Sequence, residues 1–465
     1  MKKLLLRTTV VLLAAVVVLA IYRFNFRKSI PENSTTPHQV AAILEQNDCY
    51  ACHSTDAEKP FYGALPIIGE QVAADIERGT KFLNLKQVDF DHINEADLAK
   101  IEQTMMSGSM PLLKYKMLHW GTGFNRAEKS LIATWAQQVR RNRFATGLAA
   151  AAFANEPIQP LVDAVKTSPE KVALGFDLFH DGRISADGTI SCATCHPLDQ
   201  GGVDGLRTSE GIDGQLGGIN APTVYNALFN HVQFWNGRAG TLADQAAGPP
   251  ENPIEMGTQT WDDIVNRLAK DQDLVKLFHS IYPDGLTAAN VTDAIAEFEK
   301  TLITPNSPFD RYLKGDQTAL TAQEIGGYER FKEFNCAVCH VGQAMGGQSF
   351  ESFGIAEDYH KARAIEHPEI AYNDDDKGLI GFTGKEEDLH KYKVPTLRNI
   401  ALTAPYLHDG SAKTLDEAVV AMIRFQLGQS YTADDVASIV SFLQTLTGQN
   451  QYMTAQKKES LQEEV

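Results

Sequence analysis

The predicted fold class is mainly α, and three observations predict it. Apolar residues recur at helical spacing between capping signals along most of the chain, and no long β-alternation interrupts them. Three Cys-x-x-Cys-His units, Cys49-Tyr-Ala-Cys52-His53, Cys192-Ala-Thr-Cys195-His196 and Cys336-Ala-Val-Cys339-His340, use all six cysteines. An apolar run opens the chain. Because Cys-x-x-Cys-His is the attachment signature of c-type haem, these predict three cytochrome c-type haem domains in tandem behind an N-terminal membrane anchor.

Met1-Lys2-Lys3 and Arg7 precede the apolar run from Thr8 to Tyr22, and Arg23, Arg27 and Lys28 follow it. The run suits a signal peptide or a signal anchor; from Leu4 to Tyr22 it has about 19 residues, enough to cross a hydrocarbon core if Arg7 snorkels. Only Val18-Leu19-Ala20 approaches the spacing of a cleavage site, so residues 1–30 are expected to remain as a single anchor. Residues 31–145 hold a polar tether, Pro31 to Pro37, and the first haem domain, closed by a helix with Leu131, Ile132, Trp135 and Val139 on one face. The Ala-rich stretch from Ala145 with Pro157 and Pro160 marks a linker over 146–167.

The second domain, 168–308, opens with Ser168 as N-cap, Pro169 in the first turn, and Val172, Phe176 and Phe179 at helical spacing. Its end falls at Pro305 and Pro308. In the third, 309–450, Thr321 and Glu324 form a capping box for a helix that runs into Cys336. A last helix starts at Thr432 with Asp435, carries Val436, Ile439, Val440 and Leu443 on one face, and stops at Gly448; residues 451–465 form a tail.

In each motif the two thiols add to the vinyl groups of one haem, and the following histidine, His53, His196 or His340, becomes the proximal iron ligand. A zinc site needs four ligands, usually as paired Cys-x-x-Cys units, and a thioredoxin-like motif would sit in a βαβ pattern; neither accounts for a histidine after every second cysteine. Attachment of this kind takes place outside the bacterial cytoplasm, so with the anchor the protein is expected at the inner membrane with its haem domains in the periplasm. With 42 Lys+Arg against 59 Asp+Glu, a net charge of −17, the chain lacks the basic surface that nucleic acid requires.

From about Ser168 to Gly448 the sequence resembles the bacterial di-haem cytochrome c peroxidases. The strings that carry the resemblance are GGVDGLRTS, NAPTVYNALFN, QFWNGRAGTL, QAAGPPENPIEM, ITPNSPFDRYL, KVPTLRNIALTAPYLHDG and TLDEAVVAM, in the family's order. The additional first haem domain is similar to the layout of tri-haem quinol peroxidases, and implies a membrane quinol, ubiquinol or menaquinol, as electron donor. The resemblance implies a peroxidatic haem on Cys192, Cys195 and His196, where hydrogen peroxide binds. An electron-transferring haem would sit on Cys336, Cys339 and His340 with Met422 as distal ligand. Glu255 matches the family's acid/base carboxylate and Gln245 the amide beside it. Trp235 matches the tryptophan between the haems, which either couples them or packs there. Asn220, Thr403 and Pro405 match the ligands of one calcium ion, and His408 would bond a haem propionate.

Two features depart from the family pattern. The stretch SEGIDGQLGG holds Ile212 where many members carry a histidine that blocks the resting peroxidatic iron, so an open distal site is expected. The first haem, on Cys49, Cys52 and His53, needs a sixth ligand of its own. Met110, in GSMPLLKY, is the favoured candidate, with Met105, Met106, Met117, His92 and His119 as rivals. The expected function is reduction of hydrogen peroxide to water with electrons from quinol, a detoxifying activity. The alternatives are a peroxidase fed by a soluble cytochrome, a non-catalytic tri-haem electron carrier, or a maturation oxygenase, which Met422 disfavours. A homodimer is left open.

Overall fold

The computed structural model describes residues 10–11, 13–18, 34–119, 121–258 and 260–453. It is predominantly helical and divides into two compact units, Met1–Arg143 and Phe144–Val465.

In the first unit, helix Thr36–Gln46 buries Val40, Ile43 and Leu44, and helix Arg126–Val139 buries Ile132, Trp135 and Ala136 against it. The second of these starts at a capping box: the Asn125 side chain accepts from the Glu128 amide at 3.0 Å, and the Glu128 carboxylate accepts from the Asn125 amide at 2.9 Å. Helix Glu95–Ser107, capped by Asn94, adds Leu98, Ile101 and Met105 to the core.

The expectation of a single N-terminal anchor, and with it the inner-membrane placement with periplasmic domains, is corrected here. Crossing a bilayer takes about 20 apolar residues in one helix. Among the described residues no helix is long and apolar enough to cross a membrane. Val10–Val11 and Leu13–Val18 are helical and exposed, and the rest of residues 1–30 lies outside the described residues.

Among the described residues the second unit has two large apolar cores and a smaller cluster of Tyr359, Ala362, Ala421 and Phe425. In the first, helix Pro169–Phe179 crosses helix Ala288–Glu299 so closely that a Cβ on Gly175 would collide with the Ala294 carbonyl. In the other, helix Ala322–Glu333 crosses helix Ala433–Gln444, and Gly327 meets the Ser438 carbonyl in the same way. Glycine allows both crossings because it brings no side chain to the contact. Each pair brackets one Cys-x-x-Cys-His unit: Cys192 packs against the first core and Cys336 against the other. A two-stranded antiparallel sheet, β1 (Phe350–Ser352) with β2 (Lys391–Lys393), pairs Phe350 with Lys393 and Ser352 with Lys391.

Residues 146–167 do not stand apart from this unit. Ile158 and Leu161 are fully buried, Ile158 bridges Gly342 just beyond the third motif, and the Leu161 amide donates to Asp310 at 3.1 Å. Asp310 in turn pairs with Arg398 at 2.9 Å, both fully buried. At the other end, Tyr452 stacks on Phe176 at 5.5 Å, and the Asn450 amide donates to the Thr301 and Ile303 carbonyls, so the chain closes back on the first core. Residues 454–465 of the expected tail lie outside the described residues.

Candidate functional site

All three motif histidines are held the same way. Nδ1 lies 3.0 Å from a backbone carbonyl: Leu83 for His53, Gly202 for His196, Met345 for His340. A carbonyl can only accept, so Nδ1 carries the proton and Nε2 keeps its lone pair, the tautomer a proximal iron ligand needs. Burial lowers the basicity of each ring, His340 to about 4, which favours the neutral imidazole. The leading cysteines of the motifs, Cys49, Cys192 and Cys336, have thiols pushed up to about 12 by burial. Two thiols beside an imidazole preset to offer Nε2, repeated three times, fit covalent haem c.

Beside the second motif stands Glu255. Its carboxylate accepts from the Asn252 amide at 2.7 Å, and burial raises its pKa against the opposing pull of Arg238 and Asn252. Burial, and then the charges of Asp204 and Glu255, also raise the Cys195 thiol, which places this carboxylate within electrostatic reach of the haem attachment point. Gln245 is half-buried on helix Leu242–Glu251, which leads directly into the Asn252–Glu255 turn.

The loop that was expected to lack a blocking histidine is docked on this turn. Its Ile212 is buried and its amide donates to the Glu255 carbonyl at 2.9 Å. Gln215 donates to the Pro253 carbonyl at 3.1 Å, and a Cβ on Gly211 would collide with the Ile254 carbonyl. Residues 210–216 therefore form a tight hairpin, closed by the Glu210–Leu216 bridge, that supports Glu255 from behind.

Trp235 lies between the two halves of this unit. Its indole donates to the Asn220 carbonyl at 2.9 Å, and its ring stands edge-on to Tyr392 and to His408, 6.5 Å from each. The Asn220 amide donates to the His408 carbonyl at 2.7 Å, so one residue joins the two expected neighbourhoods. The Asn220 side-chain nitrogen is turned to the Leu206 and Arg207 carbonyls, which directs its oxygen the other way. Thr403 and Pro405 flank Ala404, whose carbonyl lies within van der Waals reach of a Cβ built on Gly205. One amide oxygen and two backbone carbonyls are hard donors of the kind calcium selects.

His408 is buried, with Nε2 2.9 Å from an Asp376 oxygen and its ring stacked on Tyr392 at 4.3 Å. That nitrogen is thus directed to a carboxylate of the chain itself. Arg363 grips both Asp376 oxygens, at 2.6 and 2.8 Å, and also Asp409 at 2.6 Å. The trio His360, Asp376 and His408 could geometrically hold a metal ion, but the guanidinium already supplies the positive charge there. Sequence reasoning missed this network, since nothing in local periodicity links residues 360, 363, 376, 392 and 408.

Met422 opens a π-helical turn, Met422–Leu427, at the end of helix Leu415–Ala421. Its neighbours Val419 and Ile423 belong to the same core as Met345 and Ala337, on the third motif's side. In the first unit, Met110 lines a cavity of about 360 Å³ together with Met105 and Phe124. The rival His119 is engaged elsewhere, its Nε2 2.6 Å from the Tyr62 hydroxyl, and His92 is exposed beside Asp89.

Comparison with known proteins agrees with this geometry. The family model for di-haem cytochrome c peroxidase matches residues 169–318, and a model described as a haem-binding domain matches residues 13–138. The chain is 46% identical over 416 residues to cytochrome c peroxidase Ccp of Escherichia coli (strain K12), covering 88% of each. It is 44% identical over 298 residues to cytochrome c551 peroxidase of Nitrosomonas europaea, covering 63% of this chain and 85% of that one. Among solved structures it resembles a MauG-like protein associated with microbial copper homeostasis, at TM-score 0.54 and 28% identity over 63% of this chain and 95% of that one.

Proposed function

The chain belongs to the di-haem cytochrome c peroxidase family, and from that premise we propose a haem c peroxidase with three haems that takes its two electrons from quinol. The coarse activity is reduction of peroxide by a haem peroxidase; hydrogen peroxide takes up two electrons and two protons and leaves as two waters. The observation that carries the reading is the docking of the Ile212 hairpin behind Glu255. A carboxylate with a raised pKa stands ready beside the second motif, and the hairpin residue at the expected blocking position is a buried isoleucine.

When bound, haem supplies the iron at which the O–O bond is cleaved. The chain's own residues do the rest. His196, with Nδ1 tied to Gly202, would offer Nε2 to the haem iron. Glu255, oriented by Asn252, takes the proton from the near oxygen of peroxide and returns it to the far oxygen, which leaves as water. Gln245 orients the substrate beside it. Cys336, Cys339, His340 and Met422 hold the electron-transferring haem, and Trp235 packs between the two halves on the electron's path. Cys49, Cys52 and His53, with Met110, would hold the entry haem, in a fold of three haem domains in tandem. Asn220, Thr403 and Pro405 hold one calcium ion that fixes the interdomain geometry, and His408 stays in the Asp376 network next to Trp235.

Two measurements test this reading. Intact-mass analysis of the holoprotein is expected to show three covalent haems per chain, and two would remove the entry haem from the scheme. Steady-state peroxide reduction is expected with a short-chain quinol as sole donor; turnover with a soluble cytochrome and none with quinol would transfer the donor role.

A further inference from the structure

The first unit carries an exposed apolar face that its core does not use. Phe61, Leu65 and Ile67 on one segment, and Leu113, Met117 and Leu118 on helix Leu113–Leu118, are each at least half exposed. The Tyr62 hydroxyl, 2.6 Å from His119 Nε2, ties the two segments together, and Lys114 pairs at 2.6 Å with Asp75 on the helix Ile68–Phe82 that follows the first segment. Tyr115 stacks on the His119 ring at 3.9 Å and fixes its plane. Cys52 of the first motif packs on the same helix Ile68–Phe82: its carbonyl accepts from the Thr80 hydroxyl at 3.2 Å, and a Cβ on Gly79 would collide with that carbonyl.

Ile67 sits at φ 68°, ψ −51°, and the Ile68 amide donates to the Pro66 carbonyl at 2.8 Å. This is a γ-turn in its strained form, and a β-branched residue at its centre is an outlier. Strain of this kind persists where a site over-determines it. Here it holds an 80% exposed Ile67 at the edge of the face.

Apolar side chains alone would admit any greasy partner, and the polar string narrows the choice. His119 stands between Tyr62 and Asp48, with Nδ1 3.9 Å from an Asp48 oxygen, and the Asp48 side chain is 40% exposed. The string runs from the apolar face to solvent. A protein donor delivers electrons only, whereas a quinol must shed one proton with each electron. We infer that this face is the site of quinol oxidation, with Tyr62 and His119 as the residues that take the protons and the six apolar side chains as the seat of the ring and tail. The inference rests on the quinol-donor reading above.

The step balances as follows. A quinol O–H bond breaks, its proton passes to the Tyr62 oxygen as Tyr62's own proton moves to His119 Nε2, and the Nδ1 proton leaves to solvent on the side of the exposed Asp48 carboxylate, which favours the charged ring. The electron reduces the ferric haem on Cys49 and Cys52. After that electron has moved on, the second hydroxyl repeats the sequence. The sum is one quinol to one quinone, two protons and two electrons, which matches the two electrons that peroxide consumes.

The test uses the full-chain holoprotein under anaerobic stopped flow, comparing haem reduction by decyl-ubiquinol with reduction by hexaammineruthenium(II), a one-electron donor that releases no proton. His119→Gln is expected to lower the quinol-to-mediator rate ratio roughly a hundredfold at saturating quinol. Leu113→Glu is expected to raise the half-saturating quinol concentration roughly tenfold. Independently of variant folding, an azido-ubiquinone photolabel on the wild-type protein is expected to map to residues 61–68 and 113–118. Label elsewhere, or a ratio indifferent to both variants, would overturn the site while leaving quinol as donor. Sensitivity to Leu113→Glu alone, with efficient reduction by a small soluble cytochrome, would make the face a protein dock and overturn it too. A wild-type protein that the mediator reduces and quinol does not would sink the donor reading itself.

Discussion

Glu255 is the residue on which the proposed chemistry turns. Replacing it by Gln keeps the Asn252 contact available but removes the proton carrier, and peroxide turnover is expected to fall roughly 10²- to 10⁴-fold with haem content unchanged. Because burial raises its pKa, the base form is lost as pH falls through a value above that of an ordinary glutamate, about 4.3. The acid limb of the rate profile should therefore lie above that value in the wild type and vanish in the Gln variant. Arg363 has a structural part instead. It is buried between Asp376 and Asp409, so Arg363→Met leaves two buried carboxylates without their cation and should cost about 3–5 kcal/mol in denaturant unfolding. Burial alone would raise the Asp376 carboxyl, but hydrogen bonds from His408, Arg363 and the Asn373 segment together hold it well below its ordinary range. A carboxyl depressed on folding stabilises the protein above its unfolded pKa of about 3.9 and loses that contribution as pH falls through the folded value. The motif cysteines and histidines were legible because their spacing is itself the chemistry. The Arg363 network was not, because its members meet only through tertiary folding across dozens of residues.

At the level of elements, the 210–216 hairpin matters most. Gly211 approaches the Ile254 carbonyl so closely that Gly211→Ala must push the hairpin off the Asn252–Glu255 turn. Overpacking of this sort should cost about 1–3 kcal/mol and lower peroxide turnover with it, read by thermal melting and steady-state rates on the same sample. The π-turn that starts at Met422 is the other element with a stated task. Met422→His should leave the iron on His340 six-coordinate while lowering its reduction potential, read by spectroelectrochemistry, because imidazole favours the ferric state more than thioether does. Helix starts were readable where caps announced them: Ser168, Thr321 and Thr432 each accept from the backbone amide three residues on. The π-turn had no such signal, since it differs from an α-turn only in how the backbone closes. The burial of residues 158–161 was equally hidden, because an Ala- and Pro-rich stretch reads as a linker until Ile158 and Leu161 find their core.

Across the second unit, each of two glycine-mediated helix crossings brackets one Cys-x-x-Cys-His motif in sequence, and Trp235, Asn220 and His408 link residues of the two halves. The interior between them is polar and hydrogen-bonded, so its geometry depends on a few fixed contacts and, in the proposed scheme, on calcium. Chelation of calcium is accordingly expected to lower the melting temperature and slow electron arrival at the second motif, with recovery on adding the ion back. The peroxidase reading as a whole depends on an iron opposite His196 that is open at rest, since the hairpin presents Ile212 beside Glu255. The most direct measurement is the electron paramagnetic resonance spectrum of the fully oxidised holoprotein before and after mixing with hydrogen peroxide. A high-spin ferric signal that is lost on mixing, with no prior reduction, is the predicted result. Low-spin signals from every haem, unchanged by peroxide, would contradict it.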